Sequence, residues 1–219
     1  SVFTVFTAAY NRPKTLRKVY ESLDAQTFRD FEWLIIDDGS SPAVGEAVQE
    51  LMREASFPIR YYWQENGGKH SAHNHAANKA RGRYFAMLDD DDTVLPHALE
   101  RMLHHWQHLP EDKRYEYAAV IGLCTDQNGK LFGEKFPTER ARLTDPDADY
   151  LDSNFIELTY ILKCNGERWG SYRTDVLRNY PYPVAPGPSA YLIEEVTWLR
   201  FTRADATRYV NWLRSILDG

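Results

Sequence analysis

Strand-like and helical patterns alternate through the first ninety residues, and this alternation constrains the fold more than any other feature of the sequence. The strand-like segments are rich in β-branched and aromatic residues, whereas the helical ones place apolar residues three and four apart. Three strand–helix units in succession predict a parallel sheet with right-handed crossovers and helices on both faces. The predicted strands are 2–6, 32–36, 59–63 and 84–88, and the predicted helices are 13–27, 44–55 and 71–81.

Polar segments follow the predicted strands, at the point where each strand ends. They comprise residues 7–12, 37–40, 65–69 and 89–92. Because the carboxyl ends of parallel strands meet at one edge of a sheet, where ligands bind in open α/β folds, we expect these segments to converge.

The last of these segments consists of four consecutive aspartates, Asp89 to Asp92, directly after an apolar strand. Neighbouring carboxylates repel one another, and a divalent cation with a preference for oxygen ligands, Mg²⁺ or Mn²⁺, would relieve the repulsion. The alternative is a solvated acidic loop in which one aspartate caps the helix that begins near Pro96.

The second half of the chain is less regular. Helices are predicted over 96–109, from Thr174, and over 190–202, with strands over 117–125, 130–132, 169–172 and 208–210. Residues 134–148 are predicted to make an excursion on the surface, and the proline-rich residues 179–188 are predicted to form a loop. Length and composition predict a single domain, 1–219.

Composition narrows the function classes. The chain has 219 residues and a net charge of −6, which argues against a nucleic-acid partner, since such proteins carry a basic face. Cys124 and Cys164 lie far apart and are expected to be reduced, as in a cytoplasmic protein. The sequence has no transmembrane pattern or signal peptide, so we expect a cytoplasmic location, including peripheral association with the inner face of the membrane through segments outside this chain.

Three motifs in order carry a resemblance. They read TAAYNR at residues 7–12, IDDGS at 36–40 and GRYFAMLDDDD at 82–92. Together they resemble the family 2 glycosyltransferases of the GT-A fold, over roughly the first 110 residues. The resemblance implies a Rossmann-like mixed, mostly parallel sheet flanked by helices on both faces, and a nucleotide-diphospho-sugar donor. It also implies that residues 1–110 would bind the nucleotide sugar and residues 111–219 the acceptor.

The resemblance implies roles for the polar segments. Tyr10 would stack on the base, a uracil or similar ring, and Asp38 would accept a hydrogen bond from the base. The alternatives are a packing aromatic for Tyr10 and turn capping by Asp37 or Asp38. The other residues predicted to bind the nucleotide sugar are Thr7, Ala8, Arg12, Asn66, Lys69, Asp89 and Asp90.

The same resemblance makes Asp91 the direct metal ligand, with Asp89 on the ribose or on the metal through water. Asp90 occupies the middle position, so the assignment could shift by one residue. Lys69 follows two glycines and is predicted to contact phosphate or sugar, or to be a surface lysine; the Walker A pattern is absent. Zinc binding by His70, His73 and His75 is disfavoured because HExxH is absent.

Group transfer requires a base for the acceptor hydroxyl. By the family pattern this is Glu194, four residues before Trp198, although Glu195 or a helix-start role for both carboxylates stays open. Trp169 and Tyr172 are predicted to form an aromatic acceptor platform.

The resulting hypothesis is an inverting, metal-dependent glycosyltransferase with a UDP-sugar as the expected donor and a glycan, lipid-linked or other hydroxyl acceptor, of the kind found in polysaccharide biosynthesis. The rivals are a metal-dependent phosphohydrolase or nucleotidyltransferase acting on nucleotide sugars, and a non-catalytic module that binds them.

Overall fold

A nine-stranded sheet forms the centre of the computed structural model, which describes residues 1–42, 44–126, 128–183 and 206–217. The strands are β1 (Phe3–Ala9), β2 (Phe31–Asp38), β3 (Ile59–Gln64), β4 (Tyr84–Met87), β5 (Asp92–Val94), β6 (Tyr117–Asp126), β7 (Tyr150–Ser153), β8 (Arg168–Arg173) and β9 (Ala206–Leu217). The helices are α1 (Thr15–Asp24), α2 (Gly45–Glu54), α3 (Lys69–Lys79), α4 (Ala98–Gln107), α5 (Glu139–Arg142) and α6 (Thr174–Asn179), with a 3₁₀ segment over Glu111–Glu116 and a π-helix over Glu157–Ile161.

The strands are arranged in the order β3-β2-β1-β4-β8-β6-β9-β5, with β7 paired to β9. Strands β1 to β4 are parallel to one another, as the strand–helix alternation predicts. Strand β8 then runs antiparallel to both β4 and β6. The sheet is therefore mixed, as predicted, and belongs to the α/β class.

Helices cover both faces of the sheet because successive side chains of a strand point to opposite sides. Val5 and Ile35 pack with α1, α2 and α4 in one core cluster, whereas Phe6 and Ile36 pack with α3 and α6 in another. Both faces of β1 and β2 are buried, which explains why apolar residues occur on both faces of these strands and not in strict alternation with polar ones.

The order of the strands creates a crevice at the carboxyl end of β1. The chain moves outward from β1 to β2 and β3 and then returns to place β4 on the other side of β1. The loops after β1 and β4 therefore diverge at this edge, which is where open α/β sheets bind ligands.

The structure corrects several sequence-based predictions in the second half. The predicted strand 130–132 is reduced to one bridge between Leu131 and Thr125, and residues 134–148, predicted as a surface excursion, bury Phe136 and Ala148 and contain α5. Strands β5 and β7 and the π-helix were not predicted. Both strands pair with β9, more than fifty residues away, so local sequence carried no sign of them.

Further predictions concern the cysteines, membrane-spanning helices, the helix 190–202 and the division of the chain into two halves. Cys124 and Cys164 are free and buried, as expected of reduced thiols. In the described part of the chain, no helix is both long enough and apolar enough to span a bilayer. The predicted helix 190–202 lies outside the described residues, and the division into two binding halves near residue 110 stays a prediction.

Candidate active site at the carboxyl edge of the sheet

Three carboxylates gather in the tight turn between β4 and β5. One oxygen from each of Asp89, Asp91 and Asp92 lies within 4.8 Å of the others, and the Asp92 amide donates to the Asp89 carbonyl at 3.2 Å. Burial, followed by the charges of Asp89 and Asp91, raises the pKa of Asp92 to about 7. Three carboxylates this close together repel one another, and oxygen ligands of this kind are what Mg²⁺ and Mn²⁺ favour, so these residues fit a divalent cation.

Asp90 points away from this cluster and toward the start of α1. It is only 9% exposed, and its carboxylate lies 3.4 Å from the Arg12 guanidinium and 3.5 Å from the Thr15 hydroxyl. Arg12 also contacts Asp91 at 3.0 Å, which links the loop after β1 to the acidic turn. Burial raises the pKa of Asp90, and the Arg12 charge opposes the increase. Asp90 therefore serves as the connection between the two loops in this structure.

Lys69, the first residue of α3, supplies a positive charge beside the cluster. Its ammonium lies 2.7 Å from the Asp89 carboxylate, and both side chains are close to half exposed. An exposed pair of this kind contributes little to stability, so the contact leaves both groups able to exchange partners.

Asp37 stabilises the turn after β2. It is fully buried, and its carboxylate accepts hydrogen bonds from the Ser40 and Val44 amides and from the Tyr61 hydroxyl, at 2.9, 3.1 and 2.7 Å. Burial and then this bond to Asp37 raise the pKa of Tyr61. Asp37 is therefore the member of the pair that caps the turn, one of the two alternatives left open by the sequence.

Asp38 fixes the glycine loop before α3. One of its oxygens accepts from the Gln64 side chain and the Gly67 amide, at 2.7 and 3.0 Å, and the other accepts from the Gly68 amide at 2.8 Å. Gly68 has φ +82°, a conformation that glycine adopts at little cost. Asp38 thereby determines where Lys69, the next residue, begins its helix.

A cavity of about 290 Å³ lies between the loop after β1 and the acidic turn. Tyr10 stands at its rim, with 51% of its surface exposed. The lining contains eight of the residues that the sequence assigns to donor or metal binding: Ala8, Tyr10, Arg12, Asp38, Lys69, Asp89, Asp90 and Asp91.

A second cavity, of about 400 Å³, adjoins the first, since Lys69 and Asp89 line both. Asp92 lines it too, together with Trp169 and Tyr172 from β8. The Trp169 indole donates a hydrogen bond to the Met87 carbonyl at the end of β4, which holds the ring beside the acidic turn. The acidic turn therefore separates two cavities of different character.

Comparison with known protein families assigns the chain to one of them. The model of the family described as Glycosyl transferase family 2 matches residues 4–156, which is more than half of the chain. The chain belongs to glycosyl transferase family 2.

Similar sequences within family 2 are longer than this chain. An uncharacterized glycosyltransferase of Methanocaldococcus jannaschii is 31% identical over 137 residues, which cover 61% of this chain and 46% of the relative. A protein of Campylobacter jejuni named GalNAc(5)-diNAcBac-PP-undecaprenol beta-1,3-glucosyltransferase is 25% identical over 178 residues, covering 80% and 53%. The chain thus spans about half the length of these relatives.

Solved structures with a similar fold share few identical residues with it. TarS of S. aureus (residues 1–349) has a TM-score of 0.72 at 17% identity, with 100% of this chain and 60% of that chain covered. The mannosyltransferase PcManGT of Pyrobaculum calidifontis, in complex with GDP-Man and Mn²⁺, has a TM-score of 0.66 at 16% identity, covering 98% and 56%. These similarities support the GT-A fold.

Two of the residues predicted to bind the donor, Thr7 and Asn66, do not line the first cavity. Thr7 is fully buried, and its hydroxyl accepts a hydrogen bond from the Trp33 indole at 3.0 Å. The Asn66 side chain donates to the Asp38 carbonyl at 2.9 Å. Glu194 and Glu195, the predicted bases, lie outside the described residues.

Sequence reasoning included Asp92 in the acidic run but gave it no individual role in the site, and it missed Glu167 and Tyr209 as lining of the second cavity. Asp92 belongs to the same aspartate run, so a signal existed. What brings it to the cluster is the start of β5, which depends on distant pairing with β9. Glu167 and Tyr209 stand in no motif and reach the cavity only through the fold.

The histidines of α3 form no metal cluster in the described part of the chain. His73 is buried against Phe6 and Phe85, and this burial lowers its pKa to about 3. His75 Nδ1 lies 2.8 Å from the Gln64 side-chain oxygen, and Gln64 in turn donates to Asp38. These histidines support packing and the glycine loop.

Proposed function

We propose that this family 2 chain transfers a sugar from a nucleotide-diphosphate donor to an acceptor hydroxyl, by one displacement with inversion at the anomeric carbon. The proposal is supported above all by one arrangement: three carboxylates within 4.8 Å of one another, at the boundary between two cavities that share Lys69 and Asp89. A donor must place its diphosphate and its sugar on either side of such a boundary for an acceptor to approach.

The nucleotide occupies the cavity beside Tyr10 in this proposal. The half-exposed ring offers a flat surface for a base, and Arg12 and Lys69 provide positive charge for phosphate oxygens. Asp38 acts mainly by holding the glycine loop, with its remaining lone pairs open to a base N–H. UDP-sugars are the first donors to test, since TarS, a protein of the same fold, has been solved with UDP-GlcNAc.

Asp91, with Asp89 and Asp92, would hold a Mn²⁺ or Mg²⁺ ion. Such an ion, when bound, offsets the negative charge that develops on a leaving diphosphate. Lys69 supplies a second positive charge from the opposite side of Asp89. Arg12 pairs with both Asp90 and Asp91, and Asp90 also contacts Thr15 at the start of α1.

The acceptor occupies the second cavity, against Trp169 and Tyr172. Aromatic faces suit the apolar side of a sugar ring. Glu194 or Glu195 takes the proton from the acceptor hydroxyl. A lipid-linked glycan, as used in polysaccharide biosynthesis at the inner face of a membrane, is a suitable acceptor class, because the Campylobacter relative is named for an undecaprenol-linked one.

Replacement of Asp91 by Asn tests the proposal. The purified chain is incubated with UDP-sugars, acceptor glycans and Mn²⁺, while UDP release and sugar transfer are measured separately. Loss of one carboxylate should lower transfer at least about a hundredfold, equivalent to about 2.7 kcal/mol, and should reduce the thermal shift that UDP produces with Mn²⁺. Asp112→Asn, an exposed carboxylate on the 3₁₀ segment, is the matched control.

Full activity of the Asp91→Asn variant in the presence of chelator would contradict the metal role. Release of UDP or of sugar phosphate without any requirement for an acceptor would favour the hypothesis of a metal-dependent phosphohydrolase. Binding of donors without turnover, across a panel of acceptors, would favour the non-catalytic module.

A further inference from the structure

A basic cavity of about 570 Å³ lies at the opposite edge of the sheet from the acidic turn. It surrounds the beginning of β4 and the end of β8, whereas the acidic turn follows the end of β4. Five guanidinium groups line it, and among its described lining residues only Asp175 carries a carboxylate. The arginines are Arg81, Arg83, Arg114, Arg173 and Arg178.

Three of these arginines each donate to at least one backbone carbonyl. Arg173 bonds to the Tyr115 carbonyl at 2.8 Å and also pairs with Asp175, and Arg178 bonds to the Ala77 carbonyl at 2.9 Å. Arg114 bonds to the Gln107 carbonyl at 3.1 Å. A carbonyl orients a guanidinium without neutralising it, so Arg114 and Arg178 are fixed and still charged, whereas Asp175 offsets the charge of Arg173.

Three of the lining arginines have a donor atom or a charge without a partner among the described residues. The Nε of Arg114 is buried and has no hydrogen-bond partner among the described residues, an arrangement that costs free energy. Arg81 and Arg83 are exposed at the cavity and pair with no carboxylate in the described part of the chain. The Arg83 guanidinium lies 5.4 Å from the centre of the Tyr84 ring, which orients it without discharging it.

The electrostatics favour an anion. Five guanidinium groups against one carboxylate leave four positive charges in one cavity, in a chain whose net charge is −6. Like charges at such proximity repel, and a bound anion would convert that repulsion into attraction. Guanidinium groups present paired donors that match phosphate oxygens, and a phosphate group, with three acceptor oxygens and a charge of about −2, can contact more of these groups at once than a carboxylate or chloride can.

We propose that this cavity binds a phosphate group, carried by a phosphomonoester or a diphosphate, at a site separate from the acidic turn. Arg114 and Arg173 form the fixed part of the site, and Arg81 and Arg83 close on the ligand from its exposed side. The Tyr84 and Trp106 rings, stacked at 4.3 Å, form an apolar wall, and Tyr115, 78% exposed, stands beside the opening. The phosphate can come from a soluble compound or from a phospholipid headgroup.

Two probes distinguish these sources. Titration calorimetry with inorganic pyrophosphate, in EDTA so that no cation recruits it to the acidic turn, measures soluble binding. Co-sedimentation with phosphatidylcholine vesicles that do or do not contain phosphatidic acid measures binding to a headgroup. The test variant is R81Q/R83Q, and the control is R53Q/K130Q, which removes two exposed positive charges elsewhere.

At least one probe should bind the unmodified chain, and R81Q/R83Q should weaken it at least about tenfold, since each lost charge-assisted bond contributes substantially. The control should stay within about twofold. An R83Q single variant should fall between, and thermal unfolding checks that each variant is folded. Binding of neither probe, or equal weakening by R81Q/R83Q and by the control, would overturn the proposal. Because the cavity is remote from the acidic turn, sugar transfer should be unchanged in R81Q/R83Q.

Discussion

Asp92 is expected to destabilise the metal-free protein, because its carboxylate is crowded by Asp89 and Asp91 in a half-buried turn. In the folded chain its pKa is about 7, against 3.8 for the free side chain. Since the folded state holds the proton more tightly than the unfolded state, stability falls as pH rises from about 4 and levels off above about 7. The direction is opposite to that of a carboxylate stabilised by a salt bridge.

The size of the effect follows from that difference. A pKa of about 7 instead of 3.8 corresponds to roughly 4 kcal/mol of destabilisation at pH well above 7. Because Asp92 is only half-buried, solvent screening reduces this to about 2 kcal/mol. For a chain of this length, 2 kcal/mol corresponds to a rise in Tm of about 4–8 °C.

Asp92→Asn should therefore stabilise the protein at pH 8 in EDTA by about 2 kcal/mol, measured by urea unfolding, with a smaller gain at pH 5. The same substitution should abolish most of the thermal shift produced by Mn²⁺, since a cluster ligand is lost. Asp112→Asn should change neither quantity. A gain that is equal at pH 5 and pH 8 would refute the electrostatic reasoning, and an undiminished Mn²⁺ shift would remove Asp92 from the metal site.

Two further substitutions test the scaffold. Gly82→Ala should lower the free energy of unfolding in urea by about 2–3 kcal/mol, because an added Cβ would lie 2.3 Å from the backbone of β1. The control is Gly45→Ala, which should be close to neutral because its Cβ would meet only ordinary contacts. Asp152→Ala should lower the free energy of unfolding by about 3–4 kcal/mol, because Arg208, which is 3% exposed, would stay buried with an unpaired charge after losing its bidentate partner. The control is Glu54→Ala, which breaks an exposed ion pair and should cause no comparable loss of stability. Equal effects of Gly82→Ala and Gly45→Ala would contradict the packing argument, and equal effects of Asp152→Ala and Glu54→Ala would contradict the argument from the buried ion pair.

The first half of the fold was predictable from the sequence for a physical reason. Strands β1, β2 and β4 are mainly apolar, β3 is rich in aromatic residues, and all four lead into polar segments, while α1 and α2 each bury a regular stripe. Each element can be recognised within a short window, and the rule for parallel crossovers then places the carboxyl ends at one edge. The gathering of Tyr10, Asp38 and the acidic turn around one cavity follows from that rule.

The second half was less predictable because its elements depend on distant partners. Asp92 belongs to a strand only because β9 pairs with it, and Leu151 lies in β7 for the same reason. Residues such as Glu167 and Tyr209 carry no local signal for the cavity they line. Short segments in a mixed sheet take their conformation from the neighbouring strand more than from their own sequence.

The sequence by itself determined the α/β class, the family and the acidic segment after β4, because these depend on apolar periodicity and on contiguous motifs. Only the tertiary structure decided how the four aspartates divide their roles. Asp90 turns toward Arg12, and the other three face one another, because the loop after β1 and the start of β5 approach the turn from different sides. The basic cavity likewise gathers arginines from three separate segments, which no single stretch of sequence could reveal.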